Sequence, residues 1–262
     1  MSKEQINTAA KWIQSARRVA AFTGAGISVE SGIPPFRGPD GLWSKYDPSY
    51  LEIDYFLRNP EKSWQIIKEI FYDFFGKAEP NQAHYTLAAM EQAGLLQTII
   101  TQNIDNLHQR AGSRNVYEYH GTSGELICLA CGGIIQPEKI DLDKLPPKCP
   151  ICGGLLKPNF IFFGEPIPEQ AAQQAIYEAH HADVFIVVGS TGEIMPASLV
   201  PTMAKEYGSK IIEVNVEPSN YTRTVTDLFL QGKAAQVFTD LGAALGLTET
   251  IARLKQNNPS QT

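Results

Sequence analysis

Short apolar runs alternate with amphipathic segments along most of this chain. Each run is bounded by polar residues or glycine, and the runs are residues 17–24, 98–101, 183–189, 210–215 and 234–238. Apolar residues recur at helical spacing in the segments 4–16, 83–94, 169–181 and 198–208. Continuous apolar strands that alternate with helices predict an α/β fold, in which a parallel sheet is covered by helices on both faces.

Two segments interrupt this alternation. Residues 37–79 contain aromatic residues and helical stretches but no clear strand, and residues 127–156 contain all four cysteines. We interpret both as insertions that together form a smaller domain. The predicted Rossmann-like parallel-sheet domain, within one unit of residues 1–262, then consists of residues 1–36, 80–126 and 157–262.

The cysteines form two C-x-x-C pairs, Cys128 with Cys131 and Cys149 with Cys152, separated by 17 residues. This spacing is typical of a zinc ribbon with four thiolate ligands. Four thiolates leave zinc no open position, so one ion with a structural role is predicted. Two disulfides, four unrelated thiols or a nucleic-acid-binding ribbon are the alternatives.

The composition narrows the choice of partners. The chain has 262 residues, of which 43% are hydrophobic and 19% charged, which permits a substantial core. A formal net charge of −6 argues against nucleic-acid binding and is compatible with a basic peptide partner. The first residues lack the apolar core of a signal peptide, and no apolar run reaches the roughly 18 residues of a membrane span. We therefore expect no membrane partner and a cytoplasmic location.

The loop after the first predicted strand begins with Gly24 and Gly26. Glycines at this position can let backbone N–H groups approach a pyrophosphate. The pair is a weak signal alone, because the acidic residue expected about 20 positions later is missing. Small and polar residues also follow two later strands, namely Gly189, Ser190, Thr191, Asn215 and Glu217. Three such loops at the carboxyl edge of a sheet favour a nucleotide ligand.

Several stretches occur in the order found in sirtuins, which are NAD-dependent protein lysine deacylases. They are GAGISVESGIPPFRG (24–38), TQNIDNLH (101–108), EYHG (118–121), the paired C-x-x-C, PNFIFFGEPIP (158–168) and VGSTGEIMPA (188–197). The chain resembles this family over roughly residues 5–245. The resemblance implies that NAD is the cofactor and that zinc takes no part in the reaction.

The resemblance also implies roles for individual residues. Phe36 would cover the nicotinamide ring, Asp105 would contact the carboxamide, and Asn103 would position water or a ribose hydroxyl as a second catalytic residue. The substrate, an acyl-lysine protein or peptide, would pair with the strand edge formed by Ile161, Phe162, Phe163, Gly164 and Glu165. The residues implied to bind NAD are Gly24, Ala25, Gly26, Ser28, Phe36, Arg37, Gln102, Asn103, Ile104, Asp105, Gly189, Ser190, Thr191, Asn215, Glu217 and Ala234.

His120 is the implied general base. It follows the short run VYEY and precedes Gly121, so it lies at the end of a predicted strand, where a base can face a cleft. A histidine whose pKa lies near neutrality suits removal of a proton from a ribose hydroxyl. The implied products are free lysine, nicotinamide and O-acyl-ADP-ribose. An ADP-ribosyltransferase or NAD glycohydrolase that uses the same cleft is the alternative, and a non-catalytic zinc-ribbon module is the third.

The sequence departs from the family pattern at a few positions. Pro35 stands where the commonest pattern has aspartate, and Gly192 and Glu193 alter the segment 189–193. Members that remove succinyl groups carry a tyrosine and an arginine three residues apart, and the corresponding positions here are Ile67 and Ile70. A buried carboxylate needs a cationic partner, so we expect activity on acetyl or longer apolar acyl groups and weak activity on succinyl groups.

Overall fold

The structure is a computed structural model that describes residues 1–36 and 41–257. The strands in this part of the chain are β1 (Val19–Thr23), β2 (Thr98–Thr101), β3 (Val116–Glu118), β4 (Gly121–Cys128), β5 (Ile134–Ile135), β6 (Leu156–Phe160), β7 (Val184–Val188), β8 (Lys210–Asn215) and β9 (Leu228–Gln231). The α-helices are α1 (Lys3–Ser15), α2 (Ile53–Arg58), α3 (Pro60–Ile67), α4 (Gln82–Gln92), α5 (Leu107–Arg110), α6 (Glu169–His181), α7 (Leu199–Glu206), α8 (Ala234–Ala244) and α9 (Thr248–Gln256). Residues Lys68–Phe74 continue α3 as a π-helix.

Six strands form one parallel sheet in the order β3-β2-β1-β7-β8-β9. Strands β1 and β7 are buried along their whole length, as expected for a sheet with helices on both faces. One apolar cluster packs α1, α4, α8 and α9 against one face of the sheet, and another packs α6 and α7 against the opposite face. The predicted fold class is confirmed.

The prediction of a strand at residues 234–238 was wrong. Ala234 begins α8, and the last strand of the sheet is Leu228–Gln231. Val237, Phe238 and Leu241 are all fully buried, and their spacing places them on one side of a helix. A run of five residues is too short to show that period, which is why the pattern indicated a strand.

The two insertions pack together in a separate apolar cluster. Strands β5, β4 and β6 form a small antiparallel sheet in that order, and α2, α3 and the π-helix cover it. Trp64 of α3 is fully buried, and its indole N–H donates to the carbonyl of Leu156 on β6 over 2.8 Å. This contact joins the helical insertion to the cysteine-rich one, whereas the exact boundaries between the parts stay a prediction.

In the described residues, no helix has both the length and the apolar character needed to cross a membrane.

Candidate active site

The central strands end next to one another at the carboxyl edge of the large sheet. β1 ends at Thr23 and lies between β2, which ends at Thr101, and β7, which ends at Val188. The strand order changes direction here, and open α/β sheets bind ligands at such a point. The loops that follow these strands carry most of the residues that the sequence singled out.

The paired glycines join two of these loops. The N–H of Gly24 donates to the carbonyl of Val188, and the N–H of Gly26 donates to the carbonyl of Gly189, both over 2.9 Å. A Cβ atom on Gly26 would lie 2.5 Å from Cα of Gly189. Both N–H groups are thus bonded within the protein, and the contact of this loop with a pyrophosphate stays a prediction. The glycines are required because the two backbones touch.

A buried polar cluster lies directly behind these glycines. Ser28 is fully buried, and its hydroxyl donates to the carboxylate of Asp105 over 2.7 Å. The side-chain N–H₂ of Asn103 donates both to Oγ of Ser28 and to the carbonyl of Gly24, each over 3.2 Å. The neighbouring Ile104 is buried in the apolar cluster of the small domain. Three residues that the family resemblance implies to bind NAD thus form one network.

Burial shapes the charge of this cluster. It raises the pKa of Asp105, while the N–H of Leu107, the hydroxyl of Ser28 and the charge of Arg110 act in the opposite direction. Burial also holds the pKa of His84 well below its usual value, and the nearby His108 adds to this effect. Neutral imidazoles and a carboxylate that accepts hydrogen bonds make this a site for neutral donors such as an amide or a sugar hydroxyl.

His84 is a residue near the site that the sequence did not single out. Its Nε2 lies 3.5 Å from Oγ of Ser28, and its Nδ1 accepts from the N–H of Asn81, so the ring both caps α4 and reaches the polar cluster. His108 is also buried, with Nε2 2.9 Å from Oγ1 of Thr23. An asparagine followed three residues later by a histidine was the available signal, since it is the pattern of a helix cap.

His120 follows β3 and lies close to the carboxyl edge of the sheet. Its Nδ1 lies 3.0 Å from the carbonyl of Gln102. A carbonyl only accepts, so Nδ1 carries the proton in the neutral ring and Nε2 is left with a free electron pair. Burial lowers the pKa of His120, and the bond to Gln102 opposes that shift. The ring is therefore a neutral base at neutral pH.

The residues after β7 and β8 that the resemblance implies to bind NAD lie on the other side of β1 from β2. The side-chain amide of Gln102 donates to the hydroxyl of Ser190 over 3.1 Å, and that of Asn215 donates to the carbonyl of Ser190 over 3.2 Å. Thr191 and Glu217 are exposed, and Ala234 is the buried first residue of α8. Ser190 thus connects the ends of three strands, β2, β7 and β8.

The departure at Gly192 has a packing explanation. Gly192 has a φ of +73°, and a Cβ atom there would lie 2.9 Å from the ring of Tyr221. A larger residue at this position would have a strained backbone and would also clash with the ring. The loop after β7 is therefore shaped by its contact with Tyr221.

The segment after Gly26 ends in an aromatic contact. The carbonyl of Pro35 accepts from the N–H of Leu42 over 2.9 Å, and the carbonyl of Phe36 accepts from the N–H of Trp43 over 3.0 Å. The half-buried ring of Phe36 lies 5.5 Å from the ring of Trp43. Pro35 therefore contributes its carbonyl to the closure of the loop. Arg37 lies outside the described residues.

The expected peptide-binding strand is held from both sides. The N–H of Ile161 donates to the carbonyl of His120 over 2.8 Å. The N–H of Phe163 donates to the carbonyl of Leu51, and its carbonyl accepts from the N–H of Ile53. The carboxylate of Glu165 turns inward and accepts from the N–H of Phe162 over 2.7 Å. Gly164, with a φ of +95°, turns the chain within this segment, and the pairing of residues 161–165 with a substrate peptide stays a prediction.

The four cysteines form the predicted metal centre. Their Sγ atoms all lie within 4.8 Å of one another. A tetrahedral zinc–thiolate site requires separations of about 3.8 Å, and the pairs Cys128–Cys152 and Cys131–Cys149 lie 3.5 Å and 3.9 Å apart. Each C-x-x-C pair forms the same tight turn, in which the first cysteine exchanges backbone hydrogen bonds with the following glycines. The thiols therefore fit one zinc ion.

A second polar group supports the loop that carries Asp105. Asn106 has a φ of +59°, and in the amide orientation that satisfies its neighbours it donates to Glu118 over 3.0 Å and accepts from the N–H of Gly124. Burial raises the pKa of Glu118 to about 7. A Cβ atom on Gly124 would lie 2.7 Å from the Asn106 amide, which explains the glycine there. Sequence reasoning missed these contacts because they link distant positions.

The chain is similar to a known family of proteins along most of its length. The model of the Sir2 family matches residues 24–196. The chain is 44% identical to NAD-dependent protein deacylase 2 of Pyrobaculum aerophilum, over 87% of this chain and 91% of that one. It is 45% identical to NAD-dependent protein deacylase 2 of Archaeoglobus fulgidus, over 97% and 98%. A solved structure of Sir2Tm bound to a propionylated peptide superposes with a TM-score of 0.83 at 33% identity, covering 92% of this chain and 99% of that one.

Proposed function

The chain belongs to the Sir2 family and is an NAD-dependent protein deacylase, and we propose that it removes acetyl and longer apolar acyl groups from lysine side chains. The observation that carries the proposal is the placement of His120. Its Nδ1 is fixed by the carbonyl of Gln102, and its own carbonyl holds Ile161 of the expected substrate strand. These two contacts support a role for His120 as a base between the loops that would hold NAD and the segment that would bind the peptide.

The residues at the carboxyl edge suit NAD. When bound, NAD would supply an activated ribose carbon for the carbonyl oxygen of the acyl-lysine amide, with nicotinamide as the leaving group. We assign Ser28, Asn103 and Asp105 to the nicotinamide and ribose end, since their amide, hydroxyl and carboxylate groups converge within hydrogen-bond distance. We assign Ser190 and Asn215 to the adenosine end, where they are bonded to each other.

His120 would accept the proton of a ribose hydroxyl at Nε2. Its Nδ1–H stays bonded to the carbonyl of Gln102, so the imidazolium that forms keeps its orientation and is stabilised by that hydrogen bond. We assign the half-buried Phe36 to cover of the nicotinamide ring, where it would exclude water from the site. Zinc holds the small domain together and has no open position for chemistry.

The apolar surroundings support the choice of acyl group. Ile67 and Ile70 are buried in the cluster that also contains Phe160 and Phe162. Lys157 lies beside Phe162, but its ammonium is bonded to Glu165 and to two carbonyls. An acidic acyl group would thus lose its hydration without gaining a cation from these residues.

One experiment tests the proposal. The protein is incubated with NAD and an acetyl-lysine peptide, and both are followed by mass spectrometry. We expect deacetylated peptide together with nicotinamide and O-acetyl-ADP-ribose. A mass gain on protein, or NAD loss that does not depend on the peptide, would instead indicate an ADP-ribosyltransferase or NAD glycohydrolase. We also propose a cytoplasmic location, which fractionation of cells followed by immunoblotting tests.

A further inference from the structure

Lys157 is a buried cation at the foot of the expected peptide-binding segment. It belongs to β6, and only 4% of its surface is exposed. Lysine is almost never buried to this degree unless it is paired. Burial lowers its pKa, and the nearby Glu165 opposes the shift. Neither the family resemblance nor the reaction itself gives this lysine a role.

The ammonium of Lys157 contacts several groups of the segment that follows it. Its Nζ donates to the carbonyl of Pro158 over 2.9 Å and to the carbonyl of Phe160 over 2.7 Å. It also forms an ion pair with the carboxylate of Glu165, with Nζ and Oε2 3.0 Å apart. Nζ also lies 4.3 Å from the centre of the Phe162 ring, within the range of a cation–π contact.

Glu165 passes this constraint on to the backbone. The oxygen that meets Lys157 also accepts from the N–H of Phe162 over 2.7 Å, and the N–H of Glu165 donates to the carbonyl of Phe162 over 3.0 Å. Residues 162–165 are thereby closed into a turn around Gly164. Ile161, at the start of this segment, is bonded to His120.

We infer that Lys157 and Glu165 act together as positioning residues, which fix residues 161–165 in the conformation that binds the acyl-lysine peptide beside His120. Neither side chain touches the peptide in this scheme. The inference rests on the proposed function, because it takes residues 161–165 as the peptide-binding segment. It assigns Glu165 a different role from the direct substrate contact that the sequence suggested.

The test measures peptide affinity separately from turnover. The dissociation constants of a fluorescein-labelled acetyl-lysine peptide and of ADP-ribose are determined for the wild type and for K157M, K157R and E165Q. Lys62→Met makes the same chemical change at an exposed position on α3 of the small domain and is the matched control. Thermal melting and zinc content show whether each variant is folded.

We expect K157M to weaken peptide binding roughly ten-fold or more, because a buried carboxylate and two carbonyls lose a charged donor. ADP-ribose binding should change less than about two-fold, since the Ser28–Asn103–Asp105 cluster does not involve Lys157. K157R keeps the charge and should fall between K157M and the wild type, and the Lys62→Met control should bind like the wild type. A merely structural lysine would not produce this separation of peptide from ADP-ribose affinity.

Two results would overturn the inference. One is peptide binding by K157M within about two-fold of the wild type, and the other is an equal loss of peptide and ADP-ribose affinity. If K157M does not fold, E165Q decides by the same criteria, because it keeps the shape of the side chain and removes its charge. Turnover by the wild type tests the proposed function separately, so a protein that binds the peptide without deacylating it would refute that function and leave this comparison intact.

Discussion

Replacement of Gly26 by alanine tests whether the close contact between Gly26 and Gly189 holds the two loops together. A phosphate-binding glycine would tolerate alanine if only its N–H mattered, since alanine keeps the N–H. In this structure the added Cβ would lie 2.5 Å from Cα of Gly189 and 2.9 Å from its carbonyl oxygen. Ordinary contact begins at 3.4 Å, so the loops after β1 and β7 must move apart by nearly 1 Å.

The size of the effect follows from that displacement. Overpacking of a rigid contact costs about 1–3 kcal/mol, and loss of the 2.9 Å bond from Gly26 to Gly189 adds about 1 kcal/mol. We therefore expect G26A to lower the free energy of unfolding by about 2–4 kcal/mol. A shift of about 1 Å in a binding loop reduces catalytic efficiency by roughly 100-fold, and we expect that loss in kcat/KM for NAD.

Urea denaturation and steady-state kinetics measure the two quantities. Gly76→Ala is the control, because a Cβ atom there meets nothing within 4 Å and the backbone is not left-handed. That variant should match the wild type or be slightly more stable. If G26A retains the unfolding free energy of the wild type to within about 0.5 kcal/mol, with unchanged kcat/KM for NAD, the close contact does not hold the loops together and the reasoning is refuted.

Three further predictions concern the base, the metal and the acyl group. His120→Tyr should reduce deacylation by roughly 10²–10⁴-fold with little change in melting temperature. In the wild type, kcat/KM should fall only as the pH drops through a value below 6.5, the ordinary pKa of histidine. The reason is that burial lowers the pKa of His120 and the neutral ring is the active form. A half-point at or above 6.5 would contradict that assignment. Metal analysis should give one zinc per chain, and exchange for cobalt should leave kcat within about two-fold, because a four-thiolate site holds structure and not substrate; a large change would place the metal in the chemistry. Succinyl-lysine peptides should react roughly 100-fold more slowly than acetyl-lysine peptides in parallel mass-spectrometric assays, and comparable rates would refute the proposed preference for apolar acyl groups.

Periodicity predicted the large sheet well because its signal is local. The run 210–215 and the helix 169–181 match the observed β8 and α6 residue for residue. Both are bounded by turns and are long enough to display their period. The failure at 234–238 shows the limit: five residues beginning at Ala234 do not separate a buried strand from the start of a helix, and only burial at Leu241 settles it.

The candidate site was predicted as a list of residues and not as an arrangement. Local motifs placed His120 at a strand end and paired the cysteines, because each of those signals depends on nearby positions. The contacts that define the site join residues far apart in the chain: Gly26 meets Gly189, and Gln102 meets both Ser190 and His120. No periodicity or spacing records which loops touch, and for that reason the glycines were first interpreted by their N–H groups.

Gln102 and His120 connect the three segments that we propose to hold NAD, the general base and the peptide. The side chain of Gln102 donates to Ser190 on the proposed cofactor side, while its carbonyl fixes Nδ1 of His120. The carbonyl of His120 in turn accepts from the N–H of Ile161 in the proposed peptide-binding segment. Two of these three bonds depend on backbone carbonyls, which every residue type supplies. We therefore propose that the fold sets most of the alignment of base, cofactor loop and peptide segment, and that Ile67 and Ile70 can be replaced to change acyl preference without disturbing it.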